Sequence, residues 1–328
     1  MQDVELSRDQ RLRRIVLFCP LLLVGCIFVG PDWQNPLSLL EDDREAILHL
    51  RIWRVVLGAL VGAALSVAGA TLQAVLRNPL AEPYVLGLSS GAGLGTAVAV
   101  VTGWLSYGAF VQPAVGFLGA MVSLCIVYNL AREGGRTAPH TLILAGVVWG
   151  SVCTSLLFFI VSQSSAEGLH AIMWWLLGDL QVVDIVLIEV VMVLILVSML
   201  ILYGFSRQLN ALTFGEEVAG YVGIEPEVTK TIVLVLASLL AASAVCISGL
   251  IGFVGLVIPH SVRALVGPDH RRLLPGAACL GATFLVVADA IGRTILYPVE
   301  IPVGVFTSLV GGPFFLVLLR KRQKQVWV

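Results

Sequence analysis

Two arginines with helical spacing open a long uncharged stretch of the chain. In LRIWRVVLGALVGAALSVAGATLQAVL, residues 50–76, Arg51 and Arg54 are three residues apart, and no charged residue follows them within the stretch. Side chains three apart share one face of a helix. A guanidinium binds a carboxylate through two parallel hydrogen bonds, so the pair is a candidate docking site for an acidic partner. The residues alone leave a second explanation open, namely that both arginines only anchor a helix end at the membrane interface.

Other groups that could do chemistry are scarce. The five histidines are scattered without an HExxH motif, and the six cysteines lie in apolar runs without a CxxC pair, so we expect neither a metal site nor catalytic residues. No GxxxxGK[ST] occurs, so ATP, if it drives the protein, must bind another subunit. Glu189 and Asp289 lie in apolar runs where a proton relay could use them. Asp289 also precedes Arg293 by four residues and can pair with it on a helix.

The composition indicates which elements must position these side chains. Of 328 residues, 58% are hydrophobic and 12% charged, which is typical of a polytopic membrane protein, and no basic surface for nucleic acid is evident. We therefore expect an all-α protein in which residues 1–328 form one transmembrane domain with ten helices. The predicted spans are residues 15–30, 54–76, 85–104, 109–131, 141–162, 184–204, 230–247, 252–266, 275–292 and 303–319.

The distribution of basic residues predicts the orientation. With ten spans and a cytoplasmic N-terminus, sixteen of the twenty lysines and arginines fall on the cytoplasmic side, which agrees with the positive-inside rule, and the C-terminus is cytoplasmic too. The four that fall outside are Arg44, Arg51, Arg54 and Arg293. Positive charge is therefore placed at the outer ends of the second and ninth spans, on the side that it usually avoids.

Residues 204–229 form the longest predicted cytoplasmic segment. Within it LTFGEEVAGYVGI, residues 212–224, predicts a short amphipathic helix, with Thr213 as N-cap and the acids Glu216 and Glu217 in the first turn. Gly220 and Gly223 permit a sharp stop. Apolar residues interleave with these charges, which favours contact with a protein partner.

Three further patterns concern packing. Residues 166–181, with Trp174 and Trp175, are typical of a helix lying in the membrane interface. The pair Gly58 and Gly62 predicts close helix packing in the second span. The glycine-rich SGLIGFVG, residues 248–255, indicates an irregular piece before the eighth span, which is tolerated at membrane depth only where protein or a water-filled cavity covers it.

Several long motifs in order resemble one protein family. They are residues 50–95, LILAGV, WWLLGDL, LNALTFGEEVAGYVGI, GLIGFVGLVIPHSVRALVGPDHRRLLPGA, VVADAIGR and EIPVGVFTSLVGGPFFLVLLR, and they extend from Leu50 to Arg320. The chain resembles the permease subunits of type II ATP-binding-cassette (ABC) importers for ferric siderophores, haem and cobalamin. The resemblance implies a homodimer in a bacterial or archaeal inner membrane. Its implied partners are two cytoplasmic ATPases, which carry ATP and Mg, and an external substrate-binding protein. No cofactor on this chain and no enzymatic activity of its own are implied.

The resemblance also assigns roles to residues. Binding-protein docking falls on Arg51, Arg54 and Arg293; ATPase coupling falls on Thr213, Gly215, Glu216, Glu217, Ala219, Gly220 and Gly223; and a cytoplasmic gate falls on Asn78, Leu80, Thr137 and His140. The alternative function is an ion-gradient-driven secondary transporter that uses Glu189 and Asp289.

Overall fold

A computed structural model describes residues 2–30, 45–181 and 184–326, and these residues are almost entirely helical. The α-helices are α1 (Gln2–Phe28), α2 (Glu45–Val75), α3 (Leu88–Val101), α4 (Val111–Ala131), α5 (Pro139–Ser162), α6 (Ala166–Leu177), α7 (Ile185–Gly204), α8 (Ser206–Thr213), α9 (Glu216–Tyr221), α10 (Pro226–Ser248), α11 (Val254–Val266), α12 (His270–Gly292) and α13 (Val303–Val326). A two-residue hairpin, β1 (Arg132–Glu133) with β2 (Arg136–Thr137), joins α4 to α5. Arg44, which the topology places outside, is not among the described residues.

Each of the ten predicted spans overlaps one helix. Within the described residues, α2, α4, α5, α7, α10 and α12 are long and apolar enough to cross a membrane, and shorter apolar helices occur at 88–101, 254–266 and 303–317. Two helices begin well before the predicted spans: α2 begins at Glu45, ahead of the span start at 54, and α12 begins at His270, ahead of 275. An apolar run marks the hydrophobic stretch only, and polar helix-forming residues extend the helix beyond it. Arg51 and Arg54 therefore lie within α2, more than a turn from its first residue.

Helix α2 lies at the centre of the bundle. It packs against α10, α11 and α12 and is buried along most of its length from Val55 onward. A Cβ atom at Gly62 would overlap the carbonyl oxygen of Gly281 on α12, and one at Gly69 would overlap that of Gly255 on α11. The absence of side chains at these positions lets the helix backbones touch. The predicted close packing of the second span is confirmed.

The irregular piece before α11 is also confirmed. Helix α10 ends at Ser248 and α11 begins at Val254, after Phe253 in a left-handed conformation with φ 67°. Side chains near the start of α3 bind backbone groups of this piece: the Glu82 carboxylate accepts the Phe253 N–H at 2.7 Å, and the Tyr84 hydroxyl donates to the Ile251 carbonyl at 3.0 Å. These bonds replace the helical ones that the break removes.

The glycine contact of α2 can be tested with two matched substitutions. Gly62→Ala adds a methyl group where α12 backbone lies, and we expect it to cost about 1–3 kcal/mol of stability. Gly25→Ala in α1 adds the same group where nothing lies within 4 Å, so it should leave stability unchanged or raise it slightly. Thermal unfolding of the purified protein in detergent measures both, and equal midpoints for the two variants would contradict the packing described here.

Candidate functional site

An arginine cluster occupies one end of the bundle, where α2 meets the last turn of α12. Arg54 binds Asp289 in a two-pronged pair, with Nη2 at 2.8 Å from Oδ1 and Nε at 3.1 Å from Oδ2. The same Nη2 lies 2.9 Å from Glu300 Oε2. The side chains of Arg54 and Asp289 are 17% and 7% exposed, so the pair is largely removed from water and its charges interact strongly.

Arg293 lies deeper in the same cluster. Its Nη2 donates to the carbonyl oxygen of Cys26 in α1 at 2.9 Å, and its Nε is 3.8 Å from Asp289 Oδ2. The predicted pair between Asp289 and Arg293 is confirmed, although Arg54 makes the shorter contact. Arg293 is only 4% exposed, so in this structure its guanidinium does not reach the surface as a docking group would. Sequence spacing could not reveal this burial, because the residue that covers Arg293 comes from α1.

Arg51 completes the cluster from the preceding turn of α2. Its guanidinium lies against the backbone of Gly30, just after α1, and the residue is half-buried. The structure thus brings the three arginines predicted for docking to one end of the bundle. Together with Asp289 and Glu300 they are called the arginine cluster below.

A short helix flanks the same region of the fold. A helix is present where the sequence predicts an interfacial one: α6, whose N-cap Ser165 accepts the Gly168 N–H at 3.1 Å and on which Trp174 is 40% exposed. Its position in the membrane interface stays a prediction. Trp174 Nε1 donates to the Asp179 carboxylate at 3.1 Å. Burial raises the pKa of Asp179 above its ordinary value, and the bond from Trp174 offsets this in part.

The segment between α7 and α10 contains two short helices rather than one. Thr213 is the last residue of α8 and donates to the Asn210 carbonyl, so its predicted role as an N-cap was wrong. Gly215 precedes α9 instead, with φ 119°, a conformation that residues with side chains avoid. Helix α9 includes Gly220, ends at Tyr221 and is followed by Gly223 with φ 81°, so the predicted stop near Gly223 is confirmed.

Helix α9 presents an exposed apolar surface. Ala219 is fully buried and anchors the helix, whereas Phe214 and Tyr221 are 78% and 89% exposed. The α9 surface consists of Phe214, Glu217, Val218, Tyr221 and Val222, all of them exposed. Exposed apolar groups bordered by acids mark a contact site for another protein.

Helix α8 is fixed to the start of α12, at the opposite end from the arginine cluster. The Asn210 side chain donates to Asp269 Oδ1 at 2.7 Å and accepts the backbone N–H of His270 at 2.9 Å. Asp269 also caps α12 by accepting the Arg271 N–H at 3.0 Å. Partial burial would raise the pKa of Asp269, but these hydrogen bonds and the neighbouring arginines outweigh burial and lower it. Asp269 therefore stays ionised and keeps the segment attached.

The residues predicted to form a gate lie in two turns on the side of α9. Asn78 accepts the Leu80 N–H at 3.0 Å in the turn after α2, and Leu80 is 42% exposed. Thr137 in β2 is buried, and His140 is exposed in the first turn of α5. Thr137 and His140 line a cleft of about 1060 Å³ together with Glu216 of α9. The structure thus joins one predicted gate element to the predicted coupling helix.

A groove between the start of α3 and α5 was missed by the sequence reasoning. It measures about 520 Å³, and none of the described residues that line it is charged. Its polar groups are the hydroxyls of Ser89, Ser90, Ser151, Thr154 and Ser155, and Tyr84. The signal was present in the sequence, because residues 151, 154 and 155 have the spacing of one helical face within an apolar span. Hydroxyl groups at membrane depth usually face other helices or water.

Comparisons with known proteins agree with this arrangement. The family model described as the FecCD transport family matches residues 15–321. The chain belongs to this family. It is 43% identical over 283 residues to a cobalamin import system permease protein of Halobacterium salinarum, covering 86% of this chain and 75% of that one. It is 39% identical over 325 residues to a hemin transport system permease protein of Yersinia pestis, covering 95% and 97%.

A solved structure supports the same assignment. The fold matches an inward-facing conformation of a metal-chelate type ABC transporter with a TM-score of 0.85 and 30% identity, covering 94% of this chain and 99% of that one. The protein is thus a multi-pass ABC transporter permease of the cell membrane and is not itself an enzyme. Among the described residues, no group of three or more His, Cys, Asp or Glu could hold a metal ion.

The arginine cluster yields a stability prediction. Asp289→Asn removes the negative charge shared by Arg54 and Arg293, and breaking such a buried pair costs about 3–5 kcal/mol. Glu300→Gln is the matched control, because the Glu300 side chain is 42% exposed and its pair should contribute less than about 1 kcal/mol. We expect a clearly lower unfolding temperature for Asp289→Asn only. If both variants unfold together with the unmodified protein, Asp289 does not hold the cluster.

Proposed function

We propose that two copies of this chain form the path by which an ABC importer carries cobalamin, haem or a ferric siderophore. The observation that supports this most directly is the hydroxyl-lined groove of α3 and α5. It is open along the surface of a single chain, and hydroxyl groups there would face lipid unless protein covers them. A second copy placed against α5 would close the groove into a path.

The chemistry of the groove suits a bulky chelate. Its described lining residues are uncharged hydroxyl, glycine and apolar groups, which offer no strong binding site to any one cargo. A path of this kind lets a large molecule pass without holding it, so we infer that selection of the cargo lies with a substrate-binding protein. The named relatives transport cobalamin and hemin, which makes these two cargoes the first to test.

We assign the arginine cluster to binding-protein docking at the outer face. Arg51, half-buried at the rim, and Arg54, held in position by Asp289, are the groups that would meet acidic side chains of the binding protein. Arg293 supports Asp289 from beneath in the conformation described. A guanidinium fixed by an internal carboxylate loses little conformational freedom when a partner binds.

We assign the α9 surface to the cytoplasmic ATPases, which hold ATP and Mg, so the permease needs no cofactor of its own. Movement of α9 would then act on the gate residues Asn78, Leu80, Thr137 and His140. ATP and the loaded binding protein must each favour one conformation of the permease for transport to occur.

The ion-gradient alternative receives no support. Asp289 is engaged by Arg54 and Arg293, so its carboxylate is already paired and is poorly suited to a relay. Glu189 lies on a different helix, α7, with an exposed side chain. The hydroxyl-lined groove includes neither acid.

Reconstitution in proteoliposomes tests the proposed function. The permease is combined with the ATPase and binding protein of its own transport system, and uptake of radiolabelled cyanocobalamin, haemin and ferric citrate is measured. We expect ATP-dependent uptake of one cargo that a protonophore does not abolish. Uptake that proceeds without ATP and stops with the protonophore would contradict the importer assignment.

The same preparation tests the docking residues. Arg51→Glu should weaken the affinity for the binding protein by roughly tenfold, because it places an acid opposite an acidic partner. Arg13→Glu, an exposed arginine at the other end of the fold, is the control. Basal ATPase activity should be unchanged in both variants. Equal binding by the Arg51 variant and the unmodified protein would remove Arg51 from the docking site.

A further inference from the structure

A buried lysine, Lys230, contacts the hairpin before α5, helix α9 and its own helix α10. Lys230 is the fifth residue of α10 and is only 5% exposed. Its ammonium group donates to the Thr137 carbonyl of β2 at 2.9 Å, lies 3.1 Å from Glu216 Oε1 of α9, and pairs with Glu227 of α10. The hydrogen bond to Thr137 and the two ion pairs thus connect Lys230 to the hairpin, to α9 and to its own helix α10.

The contacts around Lys230 hold the hairpin before α5 from both sides. The Thr137 N–H donates to Glu227 Oε2 at 3.1 Å, and the Thr137 carbonyl oxygen accepts a hydrogen bond from Lys230. Glu216 in turn lies 3.8 Å from Nη2 of Arg77, the residue that precedes the turn with Asn78. Lys230 is therefore the shared partner of helix α9 and of the hairpin that leads into α5.

The burial of Lys230 makes this junction stiff. Lys230 itself is shielded from water, although the Glu216 and Glu227 side chains are 33% and 29% exposed, so a loss of its contacts would leave a buried charge without partners. Helix α9 and the hairpin therefore move more easily together than apart. Arg77 with Glu216, by contrast, is a longer pair between partly exposed side chains and resists separation weakly.

We propose that Lys230 is a positioning residue that transmits movement of α9 to the hairpin at Thr137 and so to the start of α5. The inference rests on the proposed function, because it takes α9 as the ATPase contact and His140 as part of a gate. It adds a residue that neither the docking nor the ATPase surface contains.

A labelling experiment on the full complex tests this role without knowledge of the cargo. The permease carries His140→Cys as reporter and Cys125→Ser to remove the exposed native thiol, and it is purified with its ATPases in lipid nanodiscs. The rate of reaction with fluorescein maleimide is measured without nucleotide and with ATP plus vanadate. With Lys230 present we expect the rates to differ by at least roughly threefold, as a shift between two conformations requires.

Lys230→Met removes the ammonium group and keeps most of the side-chain volume. We expect the variant to hydrolyse ATP within about twofold of the unmodified rate while the nucleotide-dependent change in labelling disappears. Lys230→Arg, which keeps the charge, should restore part of the response. Glu225→Gln, an exposed acid next to the same helix, is the control and should respond fully.

The outcomes separate this inference from the proposed function. A full labelling response in Lys230→Met overturns the role of Lys230 but leaves the proposed function standing. If ATPase activity falls in proportion to the labelling response, Lys230 has only a folding role, and the inference is overturned as well. If Lys230→Met does not assemble, Glu216→Gln removes one of the three contacts and must reduce the response; a full response there overturns the inference too. No response in the unmodified complex contradicts the gate itself.

Discussion

Backbone-to-backbone packing of α2 is the constraint on which the rest of the structure depends. Lipid offers no hydrophobic driving force between helices, so close contact and polar bonds must hold a membrane bundle together. Gly62 and Gly69 let α2 touch α12 and α11 directly. This contact sets Arg54 against Asp289 at one end of α2, and at the other end it allows Arg263 of α11 to donate to Gln73 at 3.1 Å.

The two functional ends of the fold are joined by the same helices. Helix α12 begins at the Asn210–Asp269 contact with α8 and carries Asp289 in its last turn, while it packs along α2. A displacement of α8 therefore bears on a helix that also carries the arginine cluster. This continuity offers a physical basis for the proposed linkage between an external partner and the ATPases, because both proposed contact sites are connected to one packed pair of helices.

Much of the fold could be predicted because it depends on patterns of residues that are close together in the sequence. Apolar length, the pair Gly58 and Gly62, and the glycines before α11 each predict a feature from nearby residues alone. A helix overlaps each predicted span, six of those in the described residues are long and apolar enough to cross a membrane, and the close packing of α2 and the break before α11 are both present. Arg293 follows Arg54 by 239 residues, so no local pattern connects it to Arg51 and Arg54. The distribution of basic residues placed all three on the outer side, and the family resemblance assigned them a shared role.

The remaining features depend on contacts that no local pattern specifies. The burial of Arg293 depends on Cys26 of α1, and the position of Lys230 depends on Thr137 and Glu216, which precede it by many residues. The role of Thr213 was mistaken because a threonine before two acids favours an N-cap, whereas the backbone turn needs the positive φ of Gly215.

An importer that connects an external binding protein to cytoplasmic ATPases needs the arginine cluster and the α9 surface on opposite sides of the membrane. Single reporters at Leu296→Cys, in the 58% exposed position near Glu300, and at Tyr221→Cys, 89% exposed on α9, test this in spheroplasts with Cys125→Ser. A membrane-impermeant maleimide should label Leu296→Cys in intact spheroplasts and Tyr221→Cys only after permeabilisation. Labelling of Tyr221→Cys from outside, with Leu296→Cys protected, would invert the orientation and contradict the importer mechanism.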